Sequence, residues 1–265
     1  MCVALTSWLH VMLDFIFPAR CVYCHHFLGD ERVLIFCRSC WQTMPVITTQ
    51  VCPQCGHPFS SPAALRYTPD FLCGMCRKSP PYFDRAFSAA YYDGVMKEAI
   101  LQFKFQQKIG LGKPLVHELI AQIPNGLNLS DYDFFLPVPL HKTHQKHRGY
   151  NQAAILATYL ARHYHVPLLL NNLVRIREIK AQSQVKGRQA RKDNVKNAFR
   201  VREPQMIDKR RVILVDDVFT TGATVNECSK MLKQAGASVV LVLTLSRVHF
   251  GEPGRSAYAP EVFLP

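Results

Sequence analysis

The sequence lacks any long hydrophobic run. Its longest apolar stretch lies in residues 1–17 and is interrupted by His10 and Asp14. No segment reaches the roughly 18–20 apolar residues that a helix needs to span a bilayer. No Lys or Arg precedes Arg20, so the basic region that begins a signal peptide is also missing. These absences exclude a membrane-spanning chain and argue against a secreted one.

Acidic residues are scarce as well. The 265-residue chain has 19 Asp and Glu against 32 Lys and Arg, which gives a formal net charge of +13 at pH 7. A chain this basic favours anionic partners such as nucleic acid, phosphorylated metabolites or anionic lipid. Hydrophobic residues make up 48% and charged residues 19%, so the composition is that of a folded globular protein and not of a disordered one.

Cysteine is too rare for a disulfide scaffold, but its spacing is informative. Eight of the ten cysteines form four Cys-x-x-Cys pairs within residues 21–76. Without a secretion signal, such pairs indicate metal sites in a reducing cytosol, and we therefore expect a cytoplasmic protein. The pairs are Cys21 with Cys24, Cys37 with Cys40, Cys52 with Cys55, and Cys73 with Cys76.

Four thiolates complete a tetrahedral zinc site and leave no open position for catalysis. The eight cysteines therefore predict two structural Zn²⁺ ions. We expect a sequential grouping, in which the first two pairs hold one ion and the last two pairs hold the other. An interleaved grouping, an iron–sulfur cluster and redox cysteines are the alternatives. The neighbouring His25, His26 and His57 are expected to lie around the sites without binding metal.

The chain divides into unlike segments. Residues 1–17 have the apolar spacing of an amphipathic helix that packs on the next domain, with a partner or membrane-surface helix as the alternative. Residues 18–80 are rich in Cys and Pro, and so short a module needs metal ions to hold it. Residues 83–247 alternate strands with amphipathic helices, which predicts an α/β domain with a mostly parallel sheet. Residues 248–265 are expected to form a loosely ordered tail.

Hydrophobic periodicity predicts the elements of the larger domain. The expected helices cover 94–106, 113–122, 149–164 and 221–235. The expected strands cover 134–139, 168–176, 211–216 and 238–245, and a polar, basic stretch occupies 177–198. Cys228 falls on the apolar face of the last helix, so we expect a buried thiol in the core.

The most specific signal follows the strand at 211–216. The chain passes from this apolar strand into Asp216 and Asp217, then into a loop of Thr and Gly, and then into a helix. Backbone N–H groups of such a loop, aided by the helix dipole, can hold a phosphate group. Two carboxylates at the carboxyl end of a parallel strand can accept hydrogen bonds from a ribose diol or help to hold Mg²⁺. The alternative is an acidic turn that only caps the helix.

This stretch resembles the phosphoribosyl pyrophosphate (PRPP) signature of type I phosphoribosyltransferases. Together with the cysteine pairs it resembles the ComF family, which includes ComFC-like and GntX-like proteins. Other stretches that match the family pattern are Phe17 to Cys21, Phe103-Lys104-Phe105, Leu136 to His141, Arg148 to Gln152, and Asn194 to Phe199. The resemblance covers roughly residues 15–247.

The resemblance implies a type I phosphoribosyltransferase-like core with an N-terminal zinc-ribbon-like module. It implies that PRPP or a similar phosphoribose binds with Mg²⁺, that Asp216 and Asp217 hold the ribose hydroxyls, and that His141 and Lys142 face the pyrophosphate. Residues 103–105 would belong to a hood over the ligand. The residues that would hold the 5′-phosphate are Thr220, Thr221, Gly222, Ala223 and Thr224.

The resemblance also implies a cytoplasmic role in handling single-stranded DNA during natural transformation, with protein partners of DNA uptake. Residues 175–202 contain ten Lys and Arg, opposed only by Glu178 and Asp193. Either this segment is a basic rim that follows a DNA backbone, or it is a solvated loop that orders over PRPP. The residues expected to contact nucleic acid are Arg148, Lys186, Arg188, Arg191 and Lys192.

Two functions are therefore expected from the sequence. The first is a PRPP-binding competence protein that handles single-stranded DNA. The second is an active phosphoribosyltransferase that transfers phosphoribose from PRPP to an unidentified acceptor. A third possibility, a zinc-containing adaptor with a vestigial core, is disfavoured because both acids and the loop are intact.

Overall fold

The computed structural model describes residues 19–59, 71–140, 149–177 and 188–249. The amphipathic helix expected at residues 1–17 and the tail from residue 250 therefore lie outside the described residues. Within the described ranges, no helix combines the length and the apolar character that crossing a membrane requires.

The N-terminal module consists of short elements around the cysteines. A two-stranded antiparallel hairpin and two one-turn helices are its regular parts, because the segment is too short and too rich in Pro to form longer ones. They are β1 (Arg32–Val33), β2 (Phe36–Cys37), α1 (Arg38–Gln42) and α2 (Gly74–Lys78).

Longer strands and helices follow from residue 85 onward. In chain order they are β3 (Arg85–Tyr91), α3 (Gly94–Phe105), α4 (Gly112–Ala121), β4 (Phe134–Pro137), α5 (Gln152–Tyr164), β5 (Leu173–Arg175), α6 (Arg188–Val195), β6 (Phe199–Val201), β7 (Arg211–Phe219), α7 (Ala223–Gln234) and β8 (Val239–Arg247). Short 3₁₀ turns lie at Ile109–Leu111, Leu129–Asp131 and Pro204–Met206.

Four of these strands form a parallel sheet in the order β3–β8–β7–β4. The central strands β7 and β8 are buried on both faces over most of their length, as expected for apolar strands inside a parallel sheet. One face packs on α3, α4 and α5 through residues such as Phe103, Leu115 and Leu156. The other face packs on α7, where Cys228 is fully buried as expected. The predicted α/β class with a parallel sheet is confirmed.

The four predicted helices have their expected positions, and the strands β7 and β8 run a few residues further than predicted. The single strand predicted over 168–176 is wrong. Leu168 makes one parallel bridge with Phe135, Asn171 then adopts a left-handed conformation with φ of 62°, and only β5 follows. β5 pairs antiparallel with β6, outside the central sheet. An Asn tolerates this conformation, so the apolar run is divided by a turn.

The cysteine-rich module covers the outer edge of the sheet. The Ile47 N–H donates to Ala89 O at 3.0 Å, and the Tyr91 N–H donates to Pro45 O at 2.8 Å. Further along β3, the Ala86 N–H donates to Gln54 O at 2.7 Å. These bonds satisfy the backbone of an edge strand that would otherwise be open to pairing with another chain. The module and the sheet therefore share a hydrogen-bonded contact along β3.

Candidate functional site

The first cysteine cluster is formed by the turn at residues 21–24, the end of β2 and α1. Its four sulfur atoms lie within 4.8 Å of one another, and the members are Cys21, Cys24, Cys37 and Cys40. The backbone N–H groups of Cys37 and Cys40 point at the sulfurs of Cys21 and Cys37, each at 3.4 Å. Such N–H donors stabilise thiolates and are typical of zinc knuckles.

The second cluster lies between the 52–56 turn and α2. Its members are Cys52, Cys55, Cys73 and Cys76, whose sulfur atoms are again within 4.8 Å of one another. The Cys73 N–H points at the Cys52 sulfur at 3.4 Å. The structure thus has the sequential grouping expected from the sequence. No histidine of the described residues joins either cluster, and the ring of His57 instead stacks on that of His249 at 6.4 Å.

The chemistry of these clusters fits a divalent cation. A hydrogen bond with Ser39 lowers the pKa of Cys37 to about 6, and a hydrogen bond with the Cys55 thiol lowers the pKa of Cys52 to about 4. The pKa of Cys55 is raised in turn, because of its hydrogen bond to Cys52, and burial raises the pKa of Cys40. Four close sulfurs cannot all ionise unless a cation offsets their repulsion. Two four-cysteine sites are consistent with structural Zn²⁺.

The acid pair lies at the carboxyl end of β7. Asp217 is 8% exposed, and its Oδ1 lies 2.7 Å from the Nζ of Lys104 in the last turn of α3. Asp216 is half-buried and accepts a hydrogen bond from the Asp217 N–H at 2.9 Å. Burial, together with the charge of Asp217, raises the pKa of Asp216 to about 7, and Lys104 partly opposes that rise. The pair therefore carries less than two negative charges near neutral pH.

The loop after the acid pair begins α7. Gly222 adopts a left-handed conformation with φ of 74°, and a Cβ at this position would lie 2.6 Å from the Cζ of Phe219. Only glycine fits both the conformation and the close ring. The first turn of α7 contains no acidic residue, so the positive end of the helix dipole is not neutralised from within. The Ala223 N–H makes a long contact of 3.4 Å with the Thr221 hydroxyl.

A cavity of about 740 Å³ separates this loop from the second cysteine cluster. Residues 219–223 line one side, and Cys55, Cys73 and Cys76 line the other. Asp216 and Asp217 are not part of its lining among the described residues. The volume is in the range of small-molecule sites in proteins.

Several residues expected at the site lie outside the described residues. They are His141, Lys142, Arg148 and Lys186. Arg188, Arg191 and Lys192 fall in α6, of which the structure describes the backbone at these positions. The end of the basic segment is placed nonetheless: the Asn197 N–H donates to Oε1 of Glu227 in α7 at 2.8 Å. The segment therefore returns to the core beside α7, the helix that follows the loop at residues 220–222.

Two residues near the site were not singled out by sequence reasoning. In the sequence, Lys104 was named only within the stretch 103–105 that resembles the family pattern. A lysine four residues after Ile100, on the apolar side of a helix, already indicates a buried acidic partner. Arg247 was not noticed, yet it ends the apolar strand β8 and is only 4% exposed. A charged residue at the carboxyl end of a buried central strand indicates a partner there, because a buried cation needs one.

Comparison with protein families matches two parts of the chain. Residues 12–77 match the double zinc ribbon domain, and residues 146–264 match the phosphoribosyl transferase domain. Among solved structures, the purine phosphoribosyltransferase from Pyrococcus horikoshii aligns with 53% of this chain and 94% of its own, at 15% identity and a TM-score of 0.33.

Curated relatives match over most of their length. Competence protein F of Haemophilus influenzae is 32% identical over 240 residues, which cover 89% of this chain and 100% of the relative. DNA utilization protein YhgH of Escherichia coli K12 is 34% identical over 237 residues, which cover 87% and 97%. Competence protein ComFC of Bacillus subtilis is 31% identical over 222 residues, which cover 82% and 85%.

Proposed function

The chain belongs to the ComF family of competence proteins, and from this membership we propose that it is a cytoplasmic PRPP-binding protein that handles single-stranded DNA during natural transformation. One observation carries the proposal: the acid pair Asp216 and Asp217, the loop with Gly222 and the N-terminus of α7 follow one another directly at the end of β7. In this proposal the two zinc ribbons have a structural role, because they hold the N-terminal module against β3.

The loop is suited to a 5′-phosphate. Its left-handed Gly222 stands immediately before α7, and the N-terminal backbone N–H groups and dipole of such a helix favour an anion. Thr220, Thr221 and Thr224 add hydroxyl groups along the same turn.

The acid pair is suited to the ribose and to Mg²⁺. Carboxylate oxygens accept hydrogen bonds from a 2′,3′-diol, and they are also the ligands that Mg²⁺ prefers. Mg²⁺ would be held by Asp216 or Asp217 and would supply positive charge against the pyrophosphate. Lys104 already pairs with Asp217 at 2.7 Å, so ligand hydroxyls share Asp217 with this cation or displace it.

The basic segment supports the DNA-handling part of the proposal. The Arg177 guanidinium donates to the carbonyls of Asn194 and Lys196 at 3.2 and 2.7 Å, and β5 pairs with β6. These contacts bring both ends of the segment together beside α7. Its cations, including Lys186, Arg188, Arg191 and Lys192, would then form a rim near the phosphate loop, where a DNA backbone can follow them.

An active phosphoribosyltransferase is the second candidate. The observation that favours it is Lys104, a cation held within the acid pair, because a transferase must neutralise a departing pyrophosphate. In the reaction, the C1′–O bond to pyrophosphate breaks, and a bond from C1′ to an acceptor nucleophile forms. Release of pyrophosphate on adding nucleobases or oligonucleotides would distinguish this candidate from a protein that only binds PRPP.

Calorimetric titration of Mg²⁺–PRPP tests the proposal. We expect saturable binding by the wild type and at least tenfold weaker binding by Asp217→Asn, which loses a charged acceptor for the ribose. Asp133→Asn is the matched control, because Asp133 pairs with Arg210 at 3.1 Å and precedes β4, at the opposite end of the sheet. Absence of binding by folded, zinc-loaded wild type would refute the phosphoribose site.

A further inference from the structure

Arg247 joins the central sheet to the second cysteine cluster. It ends β8, it is 4% exposed, and its Nη1 donates to the Cys55 carbonyl at 2.8 Å. Its Nε is buried and has no hydrogen-bond partner among the residues that the structure describes. A buried guanidinium in this position needs negative charge nearby. The cluster supplies it, because four thiolates around one divalent cation keep a net charge of about −2.

The same side chain contacts the phosphate loop through Phe219. The Cζ of Arg247 lies 4.9 Å from the centre of the Phe219 ring, and the ring lies under Gly222, where a Cβ would approach to 2.6 Å. Three consecutive contacts therefore run from the metal ligand Cys55 through Arg247 and Phe219 to the loop. The cavity of about 740 Å³ has this cluster and this loop as its two sides.

The turn that carries Cys55 is itself fixed against the sheet. Gly56 has φ of 69°, and a Cβ there would lie 2.7 Å from Ala86 O and 3.1 Å from the Nη1 of Arg247. The Gln54 carbonyl accepts from the Ala86 N–H. This packing leaves little room for the turn to shift independently of Arg247, because close-packed interiors transmit small displacements.

We propose that Arg247 is a positioning residue that couples the second zinc site to the phosphate loop, so that zinc at the cluster and phosphate at the loop strengthen each other's binding. Arg247 is not a member of the four-cysteine cluster, and it also lines the cavity between that cluster and the loop. The zinc-bound cluster holds the guanidinium, the guanidinium holds the Phe219 ring, and the ring supports the left-handed turn at Gly222. Linkage requires the effect to be reciprocal.

The first cluster provides an internal control. It contacts the core through Trp41, whose Nε1 donates to Glu118 of α4 at 2.8 Å. Arg38 follows the ligand Cys37 and is exposed, with its Nη1 2.9 Å from Glu31. Arg38→Met therefore removes an arginine beside a zinc ligand without touching the phosphate loop.

A ligand-free experiment tests the coupling first. Zinc affinity is measured by competition with a chromogenic chelator, and cysteine alkylation identifies the cluster that loses its ion. For Arg247→Met we expect about tenfold weaker zinc binding at the second cluster alone, and about tenfold faster hydrogen exchange of the amides at residues 220–223. Arg38→Met should leave both unchanged. Unchanged zinc affinity and exchange in Arg247→Met, or an equal loss from both clusters, would overturn the proposal.

Two further variants keep the test decisive if Arg247→Met does not fold. Arg247→Lys keeps the charge but loses the planar group that bonds Cys55 and stacks on Phe219, so we expect the same changes in weaker form. Phe219→Leu breaks the two contacts of the ring, with Arg247 and with Gly222, and keeps the Arg247–Cys55 bond, so loop exchange should rise and zinc affinity of the second cluster should fall less than in Arg247→Met. Normal loop exchange in both variants would overturn the proposal.

A second experiment adds the ligand. It rests on the proposed phosphoribose function, and its result is interpreted separately from the ligand-free one. Saturating Mg²⁺–PRPP should raise zinc affinity at the second cluster by the factor by which zinc there raises PRPP affinity, and should leave the first cluster unchanged. PRPP binding without any effect on zinc would overturn the coupling alone. A wild type that binds no PRPP would refute the proposed function, while the chelator and exchange measurements would still decide the coupling.

Discussion

At the scale of single residues, the acid pair is the most informative feature. Lys104 forms an ion pair with Asp217, while burial and the charge of Asp217 raise the pKa of the adjacent Asp216 against the opposing charge of Lys104. Asp216 therefore titrates near neutral pH, with its pKa raised from 3.8 to about 7. Since the folded pKa is raised, the carboxylate opposes folding increasingly as pH rises from about 3.8 to about 7. A ligand that donates hydrogen bonds to the ionised form relieves this cost.

PRPP affinity should therefore depend on pH through Asp216. Ribose hydroxyls favour the carboxylate over the protonated acid, so binding releases a proton and weakens as pH falls below about 7. We expect affinity roughly tenfold lower at pH 6 than at pH 8, measured by calorimetry in two buffers with different ionisation enthalpies.

Two variants separate this effect from the titration of the ligand's own phosphates. Asp216→Asn should lose the step that Asp216 contributes and keep only the ligand's. Lys104→Met should move the step to higher pH, because the Lys104 charge lowers the pKa of Asp216. An identical pH profile in wild type and Asp216→Asn would contradict the assignment.

The sequence alone predicts those candidate site residues that belong to a local motif. Eight cysteines at knuckle spacing predict two clusters, which the structure confirms, whereas the phosphate site from Asp216 to Thr224 stays a prediction. Lys104 and Arg247 are different, because they reach their partners across the fold. Arg247 and Cys55 are 192 positions apart, and only the folded sheet brings them together.

At the scale of elements, the zinc ribbons also cover the outer edge of the parallel sheet. Residues 45–47 and Gln54 form backbone hydrogen bonds with β3, so the ribbons occupy the edge of the sheet. Metal supplies the folding free energy of such a short module, on the order of 10 kcal/mol for a structural zinc site. Loss of metal would leave β3 as an open edge.

Removing zinc should therefore cause association as well as local unfolding. After treatment with a strong chelator, we expect loss of about two zinc ions per chain, a lower melting temperature, and light scattering from edge-to-edge association. His25→Asn is the control: it should retain both ions, because no histidine of the described residues joins a cluster. A chelated protein that stays monomeric with an unchanged melting temperature would contradict this role.

Element prediction succeeded where periodicity was long and regular, as in the four helices around the sheet. It failed for β5, β6 and α6, because these are short and depend on pairing with each other and on packing against α7. β3 was also not delimited in advance, although it forms the outer strand of the sheet. Residues 103–105 were expected to belong to a hood over the ligand. In the structure Phe103 is fully buried in the core, and Lys104 lies beside Asp217.

At the scale of the whole molecule, the basic segment 175–202 has ten Lys and Arg against two acids and so carries +8 of the net charge of +13. Binding of single-stranded DNA should fall steeply with salt, because each neutralised phosphate releases counterions. Neutralising Arg188, Arg191 and Lys192 should reduce the slope of log K against log salt by about 2, at about 0.7 for each phosphate contact.

The matched control neutralises three exposed cations on α3, α4 and α5, namely Lys97, Lys113 and Arg162. This variant has the same net charge, but we expect it to keep the wild-type slope. Equal slopes for the two triple variants would show that the charge acts through the whole molecule and not through the basic segment. Undetectable binding by wild type at low salt would contradict the DNA-handling proposal.

We propose above that the turn between β7 and α7 binds the phosphate of a phosphoribose. The most direct measurement is a titration of ribose 5-phosphate into isotope-labelled, zinc-loaded protein, following the backbone amide resonances. We expect saturable shifts that are largest at Thr221, Gly222 and Ala223, with smaller ones at Asp216 and Asp217. Unshifted resonances for this turn at high ligand concentration, in a folded protein, would contradict it.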